Sequence, residues 1–322
     1  MSGSMRYFCY GLFFSFTTVL FWGLIPIALK VSGGFADPVT LTWLRFSVSG
    51  LIVLVWQWAH GRLHEFLHLS RMDWVKLLLT GVFLIINYTC FAWGLNYLRP
   101  EVAQLGMQVA PLFLALGGMI FLKEKIASLQ WVCFAILIFG LVIFFHPVVS
   151  GDYHGDLSVL FSGLIIMLVA ALSWSAYALV QKSLYQKLNS SNILLGIYLF
   201  ALIAMVPATH PSQLMSMTTS DVWVAIFCCL NTVIAYGSFA QALCYWETVQ
   251  VSAVITLTPV ASYLLTELCV FLGWWSDIIT PSHADFLSLS GMAIVILAAI
   301  GIQVVSVLGI RHRKRSRVQT AA

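Results

Sequence analysis

Residues 10–30, YGLFFSFTTVLFWGLIPIALK, carry no charge before Lys30. As a helix they extend roughly 30 Å, the thickness of the hydrocarbon layer of a bilayer. Only Arg6 precedes the run as a basic residue, and the run is too long for the apolar core of a typical secretory leader. No A-x-A-like cleavage site follows it. It reads as a first membrane span. Residues 172–182, LSWSAYALVQK, repeat its ending: Leu20-Phe21-Trp22 closing on Lys30 matches Leu172-Ser173-Trp174 closing on Lys182. A chain that repeats a spanning segment at a fixed offset is an all-α membrane protein built from two like units.

The same length criterion divides the 322 residues into ten spans, near 10–30, 38–58, 75–97, 101–122, 128–146, 157–181, 192–208, 221–246, 250–273 and 285–309. Composition agrees. Hydrophobic residues make up 61% and charged residues only 9%, with a mean hydropathy of +0.94. A soluble domain carries about 25% charged residues, so this surface faces lipid. The formal charge of +4 stems largely from one short tail, Arg311, Arg313, Lys314, Arg315 and Arg317, suited to an anionic leaflet rather than to nucleic acid. Seven cysteines, an odd number without C-x-x-C spacing, read as small apolar fillers.

Loop charges give the orientation, because Lys and Arg favour the cytoplasmic side. With both termini inside, Arg6, Arg62, Arg71, Lys76, Lys123, Lys125, Lys182, Lys187 and the five tail residues are cytoplasmic, thirteen of the sixteen basic residues. Lys30 and Arg99 fall outside, and Arg45 lies within a span. The repeat extends further: Tyr88, Phe91, Ala92 and Pro111 match Tyr236, Phe239, Ala240 and Pro259. Offsets of 152 and 148 nearly agree. Each unit holds five spans, an odd number, so the second enters the membrane inverted, and an inverted repeat places a substrate near the midplane between the halves. The expected division is 1–149 and 157–310, separated by the acidic link Ser150–Asp156, with 311–322 as a basic cytoplasmic tail.

These residues resemble the EamA-type branch of the drug/metabolite transporter superfamily. The similarity is carried by Trp22-Gly23, Pro38, Leu44-Arg45-Phe46, Phe91-Ala92 with Ala103 and Pro111, and Phe121-Leu122-Lys123-Glu124. Leu129-Gln130-Trp131 through Gly140, Tyr236, Pro259 and the Gly291–Gly301 helix extend it. The resemblance implies a ten-helix carrier, often an exporter of amino acids or related metabolites. One departure concerns the Gly-Glu pair the family often places at the end of the ninth helix. Here that region reads Phe271-Leu272-Gly273-Trp274-Trp275, and the nearest acid, Glu267, lies deeper. The role of the terminal Glu does not transfer to it.

Polar groups within spans are costly and mark candidate sites. Trp22, Tyr88, Trp174, Tyr177, Tyr236 and Tyr263 sit mid-span rather than in interfacial belts, as a cavity lining would require; ordinary packing is the alternative. Gln108, one turn before Pro111, is the preferred site amide among Asn87, Gln104, Gln108, Gln181, Asn231 and Gln241, which otherwise serve as interhelical glue. Pro26, Pro111 and Pro259 are candidates to bend the lining helices. Arg45 lies about 10 Å into its span, with Glu267 at similar depth. They could pair, bind an ionic substrate group and a proton, or snorkel outward. His60, His64 and His68 would share a helical face, but a basic interfacial segment explains such a loop more commonly than a metal site. No metal or cofactor is expected.

The sequence therefore suggests a secondary carrier in the plasma membrane, the inner membrane if the source is bacterial. Its partners are a small-molecule substrate, the bilayer and, as a candidate coupling ion, protons. No P-loop G-x-x-x-x-G-K-[ST] occurs, leaving ion or substrate gradients as the energy source. The alternative is a membrane-embedded enzyme acting on lipid or a lipid-linked substrate, which needs acids, bases or metal ligands clustered at one depth.

Overall fold

The structure, a computed structural model, describes residues 3–122, 128–146, 155–246, 251, 254–282 and 284–320. Lys123, Glu124, Lys125, Ser150, Asp152 and the start of the expected ninth span lie outside the described residues, as do the side chains of the basic tail. Every described secondary-structure element is helical. The first half comprises α1 (Gly3–Ser32), α2 (Pro38–Ala59), α3 (Arg71–Gly94), α4 (Pro100–Gly106), α5 (Ala110–Leu122) and α6 (Ser128–Phe144). The second comprises α7 (Leu157–Leu184), α8 (Ser190–Ala204), the single turn α9 (Ser212–Met215), α10 (Thr219–Tyr245), α11 (Thr258–Phe271) and α12 (Phe286–Thr320).

Six stretches are long and apolar enough to cross a membrane: Phe8–Ser32, Pro38–Ala59, Arg71–Gly94, Pro100–Phe121, Leu157–Leu184 and Thr219–Phe239. Four shorter apolar helices accompany them, Ser128–Phe144, Ser190–Ala204, Thr258–Phe271 and Phe286–Ile302. The expected seventh span stops early, because Val206–Ala208 tightens into a 3₁₀ turn around Pro207. The tail differs too: α12 continues as one helix through residues 311–317 to Thr320.

The helices start where their caps dictate. The Asp37 carboxylate accepts from the Val39 and Thr40 amides at the head of α2, and the Asn189 side chain accepts from Asn192 at the head of α8. Ser70 and Asp73 form a capping box on α3, as Thr218 and Asp221 do on α10. Such caps satisfy backbone donors that a helix leaves open. Position 189 against 37 repeats the offset of 152, and 218 against 70 repeats that of 148.

Packing follows the same correspondence. Helix α1 runs along α10 and α3 along α7; α2 lies on α8, and α6 on α12. Likewise α1 meets α11 and α7 meets α5, while α2 touches α10 and α8 touches α3. Exchanging the halves maps α2–α8 and α6–α12 onto themselves and each of the other pairings onto another of them. The α6 and α12 backbones approach closely: a Cβ on Gly291 would lie 2.4 Å from the Phe144 nitrogen and 2.8 Å from the Gly140 oxygen. Small residues let helices approach in this way.

The distribution of polarity is that of a lipid-embedded bundle. Leu51, Phe139, Ile165 and Ile203 are more than half exposed on the outside. Thr42, Arg45, Ser49, Asn87, Asn231 and Thr232 are buried inside. Thr42, Arg45 and Ser49 share one face of α2, and that face packs on α10, where Arg45 Nε and Ser49 Oγ donate to the Cys228 and Cys229 carbonyls.

Candidate functional site

Two helix breaks form the centre of the molecule. The fourth span changes from α-helix to 3₁₀ over Met107–Val109 just before Pro111. Proline has no N–H to donate one turn back and crowds the preceding carbonyl, so the regular ladder stops there. The ninth span breaks at Thr256–Leu257, and α11 begins with Pro259 in its first turn. Pro259 thus starts a helix rather than bending one, and Pro26 remains buried inside the unbroken α1. Irregular backbone at membrane depth is tolerated where it lines a cavity.

A cavity of about 250 Å³ lies against both breaks. Met107, Gln108 and Pro111 line it from the first, and Ile255, Thr256 and Thr258 from the second. Its walls carry Trp22, Tyr88 and Phe91 from one half and Trp174, Tyr236 and Phe239 from the other. The Trp22 ring meets Tyr236 edge-on at 5.6 Å between centroids and Phe239 at 5.7 Å. Tyr88 stacks on Tyr236 at 6.4 Å, across the two halves. These distances suit aromatic packing.

Among the residues singled out from sequence, Trp22, Tyr88, Gln108, Trp174 and Tyr236 come together here, with Arg45 and Pro111. Tyr177 and Tyr263 do not line the cavity. Tyr177 is buried in the cluster of Phe46, Tyr88 and Tyr198 behind the wall, and Tyr263 packs towards the α6–α12 pair. Asn87, Gln104 and Asn231 do line it, and each amide nitrogen also caps a backbone carbonyl, of Ala170, Trp22 and Phe21 respectively. Phe91 and Phe239 were not chosen as site residues, although their place in the repeat was a usable signal.

Arg45 and Glu267 do not pair. Arg45 is 5% exposed, so it does not snorkel. Its Nε donates to the Cys228 carbonyl at 3.3 Å and to Thr232 Oγ1 at 3.2 Å, and its Cζ lies 4.7 Å from the centroid of the Tyr88 ring. Glu267 sits at the end of the bundle, accepting from the Ser282 amide at 2.7 Å, with Arg99 3.8 Å away. Arg99 also holds the buried Glu101. Sequence depth alone could not reveal that a loop folds back onto Glu267.

Polar clasps tie α2 and the 3₁₀ helix after it to α8 and the segment after it, one at each end of α2. At the head of α2, the Asp37 amide donates to Gln213 Oε1 at 2.9 Å, the His210 amide donates to Thr40 Oγ1 at 2.9 Å, and His210 Nδ1 lies 3.4 Å from Asp37 Oδ2. At the other end, Glu65 accepts from the Asn189 amide and from the side-chain amides of Asn189 and Asn192, all at 2.8 Å. Asp37, Thr40 and Gln213 correspond in the repeat to Asn189, Asn192 and Glu65. Burial would raise the Asp37 pKa, but the Thr40 hydroxyl, the Thr40 and Val39 amides and His210 hold it below its usual range. Burial acts likewise on Glu65, and the Asn189 and Asn192 donors outweigh it. His64 and His68 lie on a 3₁₀ helix, Arg62–His68, with ring centroids 6.4 Å apart, while His60 ends α2 and packs on Trp56 at 4.3 Å. Among the described residues no three His, Cys, Asp or Glu groups gather as a metal site.

Comparison with known proteins places this geometry in context. The sequence matches the EamA-like transporter family over residues 9–146 and 161–307. It is 32% identical over 295 residues to an uncharacterized transporter of Haemophilus influenzae, covering 90% of this chain and 95% of that one. It is 30% identical over 291 residues to the uncharacterized inner membrane transporter YhbE of Escherichia coli K12, covering 90% of each. A Salmonella typhimurium protein named "Probable amino-acid metabolite efflux pump" is 25% identical over 325 residues, covering 95% of this chain and 97% of its own. One solved crystal structure, 17% identical, matches 92% of this chain and 98% of its own with a TM-score of 0.61; that likeness concerns the fold alone.

Proposed function

The chain belongs to the EamA-like transporter family and is a multi-pass membrane transporter, and we propose from that premise that it is a secondary carrier exporting a small metabolite by alternating access. The observation that carries this reading is the cavity walled by repeat-related side chains of both halves, Trp22 with Trp174 and Tyr88 with Tyr236, against two helix breaks. A site shared by two halves can open to either side when one half rocks against the other. At about 250 Å³ it falls below the roughly 300–1,000 Å³ typical of drug-sized ligands, which suits an amino acid or a related compound. The efflux pump among its relatives favours export.

In this reading the halves are 1–149 and 157–310, inverted with respect to each other, and both termini are cytoplasmic. Ten crossings would arise from the six long and four shorter apolar helices. The exchange of packing partners between the halves supports the inversion. The Asp37 clasp then faces outward and the Glu65 clasp faces the cytoplasm. Trp22, Tyr88, Gln108, Trp174 and Tyr236 contact the substrate, and Tyr177 and Tyr263 hold helices behind them. Energy comes from the substrate's own gradient or from protons. Purified protein in sealed vesicles should accelerate efflux of at least one member of a broad metabolite panel; no flux for any member in either direction would remove the carrier reading.

A further inference from the structure

Among the described residues, nineteen line the cavity and none of them is Asp or Glu; the one formally charged side chain among these is Arg45. That guanidinium is 5% exposed, and no carboxylate lies within ion-pair reach of it among the described residues. An unpaired charge in a low-dielectric interior is costly unless something compensates it. Tyr88 supplies part of that compensation through its ring face, 4.7 Å away. Among the described residues nothing supplies the rest. Arg45 is also held in a particular pose. Its Nε is committed to α10 through the Cys228 carbonyl and Thr232, whereas its two Nη nitrogens make no hydrogen bond among the described residues. A fork of N–H donors fixed at its base, with free tips on a cavity, is the arrangement that takes a carboxylate in bidentate fashion.

We propose that the substrate is an organic anion, a monocarboxylate with a flat apolar body, whose carboxylate is the missing partner of Arg45. The proposal rests on the carrier reading above and narrows its substrate class. Trp22, Trp174, Tyr236, Phe91 and Phe239 offer ring faces and edges to a planar body. The carbonyl oxygens of Asn87, Gln104 and Asn231 make no hydrogen bond among the described residues, so they can take a hydroxyl or N–H of the ligand. An ammonium group has no carboxylate to meet here. The site therefore favours a simple acid over the corresponding zwitterion and rejects the corresponding amine. An inside-negative membrane potential drives such an anion outward unaided, by about fifty-fold in concentration ratio per 100 mV.

The test uses purified full-length protein and four ligands of similar shape: phenylacetate, phenylacetamide, phenylalanine and phenethylamine. Binding is read from quenching of tryptophan fluorescence and from the thermal shift, and flux from efflux out of sealed vesicles. Phenylacetate should bind at least tenfold more tightly than phenylacetamide, and phenethylamine most weakly. Arg45→Gln should erase the preference for acid over amide, and Arg45→Lys should retain part of it. Equal binding of acid and amide by the unaltered protein would overturn the proposal without any variant having to fold. So would a preference for acid that survives in Arg45→Gln. Flux of phenylalanine or phenethylamine without flux of phenylacetate would remove the anion class and leave the carrier intact. Arg45-dependent binding of phenylacetate with no flux of any ligand would leave the anion site standing and remove the carrier.

Discussion

At the scale of single residues, the aromatic wall and Arg45 differ in how far sequence exposes them. Trp22 and Trp174 were visible because an indole far from an interface, repeated at a fixed offset, needs a reason. That Arg45 would reach α10 was not visible, since its partners Cys228 and Thr232 lie more than 180 positions away and carry no signal of their own. The surroundings of Glu267 are hidden from sequence for a similar reason: its ties are a loop amide and Arg99, both fixed by tertiary folding. Removing one wall should be felt as lost binding rather than lost fold, because Trp22 already faces open space on one side. Trp22→Ala should weaken substrate binding by about tenfold, some 1.4 kcal/mol, with little change in melting temperature. Fluorescence titration and thermal scanning of the same sample check both halves of that statement.

At the scale of helices, length and composition made most of the bundle legible, and the caps Asp37, Ser70, Asn189 and Thr218 mark four of the helix starts. The breaks near Pro111 and Pro259 were only half legible. Proline announces that a hydrogen bond is missing, but whether the chain bends, tightens or restarts depends on what packs against it. The α6–α12 pair makes a firmer prediction. A side chain on Gly291 has no room beside Phe144 and Gly140, so Gly291→Leu should cost about 1–3 kcal/mol, seen as a lower melting temperature in detergent. The outer clasp predicts a pH dependence. Because the folded-state pKa of Asp37 lies below the ordinary 3.8, its stabilisation is fully present above that value and is lost as pH falls through the lower folded value. The difference in melting temperature between the unaltered protein and Asp37→Asn should shrink as pH falls below 3.8.

At the scale of the whole molecule, both clasps are closed around one cavity, and the proposed alternating access would require them to open in turn. Paired cysteines at Glu65 and Asn189, or at Asp37 and Gln213, should each stop transport when cross-linked and restore it when reduced; flux that continues through either cross-link would mean that α2 and α8 need not separate at that end. The two ends are related by the repeat but are not chemically equal. Glu65 brings an ionised acceptor with three donors to one of them, while the ionised acceptor at the other is Asp37 of α2, facing His210. The position that corresponds to Glu65 there is the uncharged Gln213. In the proposed carrier these unlike latches would give the two doors different opening costs, so the empty protein would favour one facing over the other rather than divide its time evenly between them.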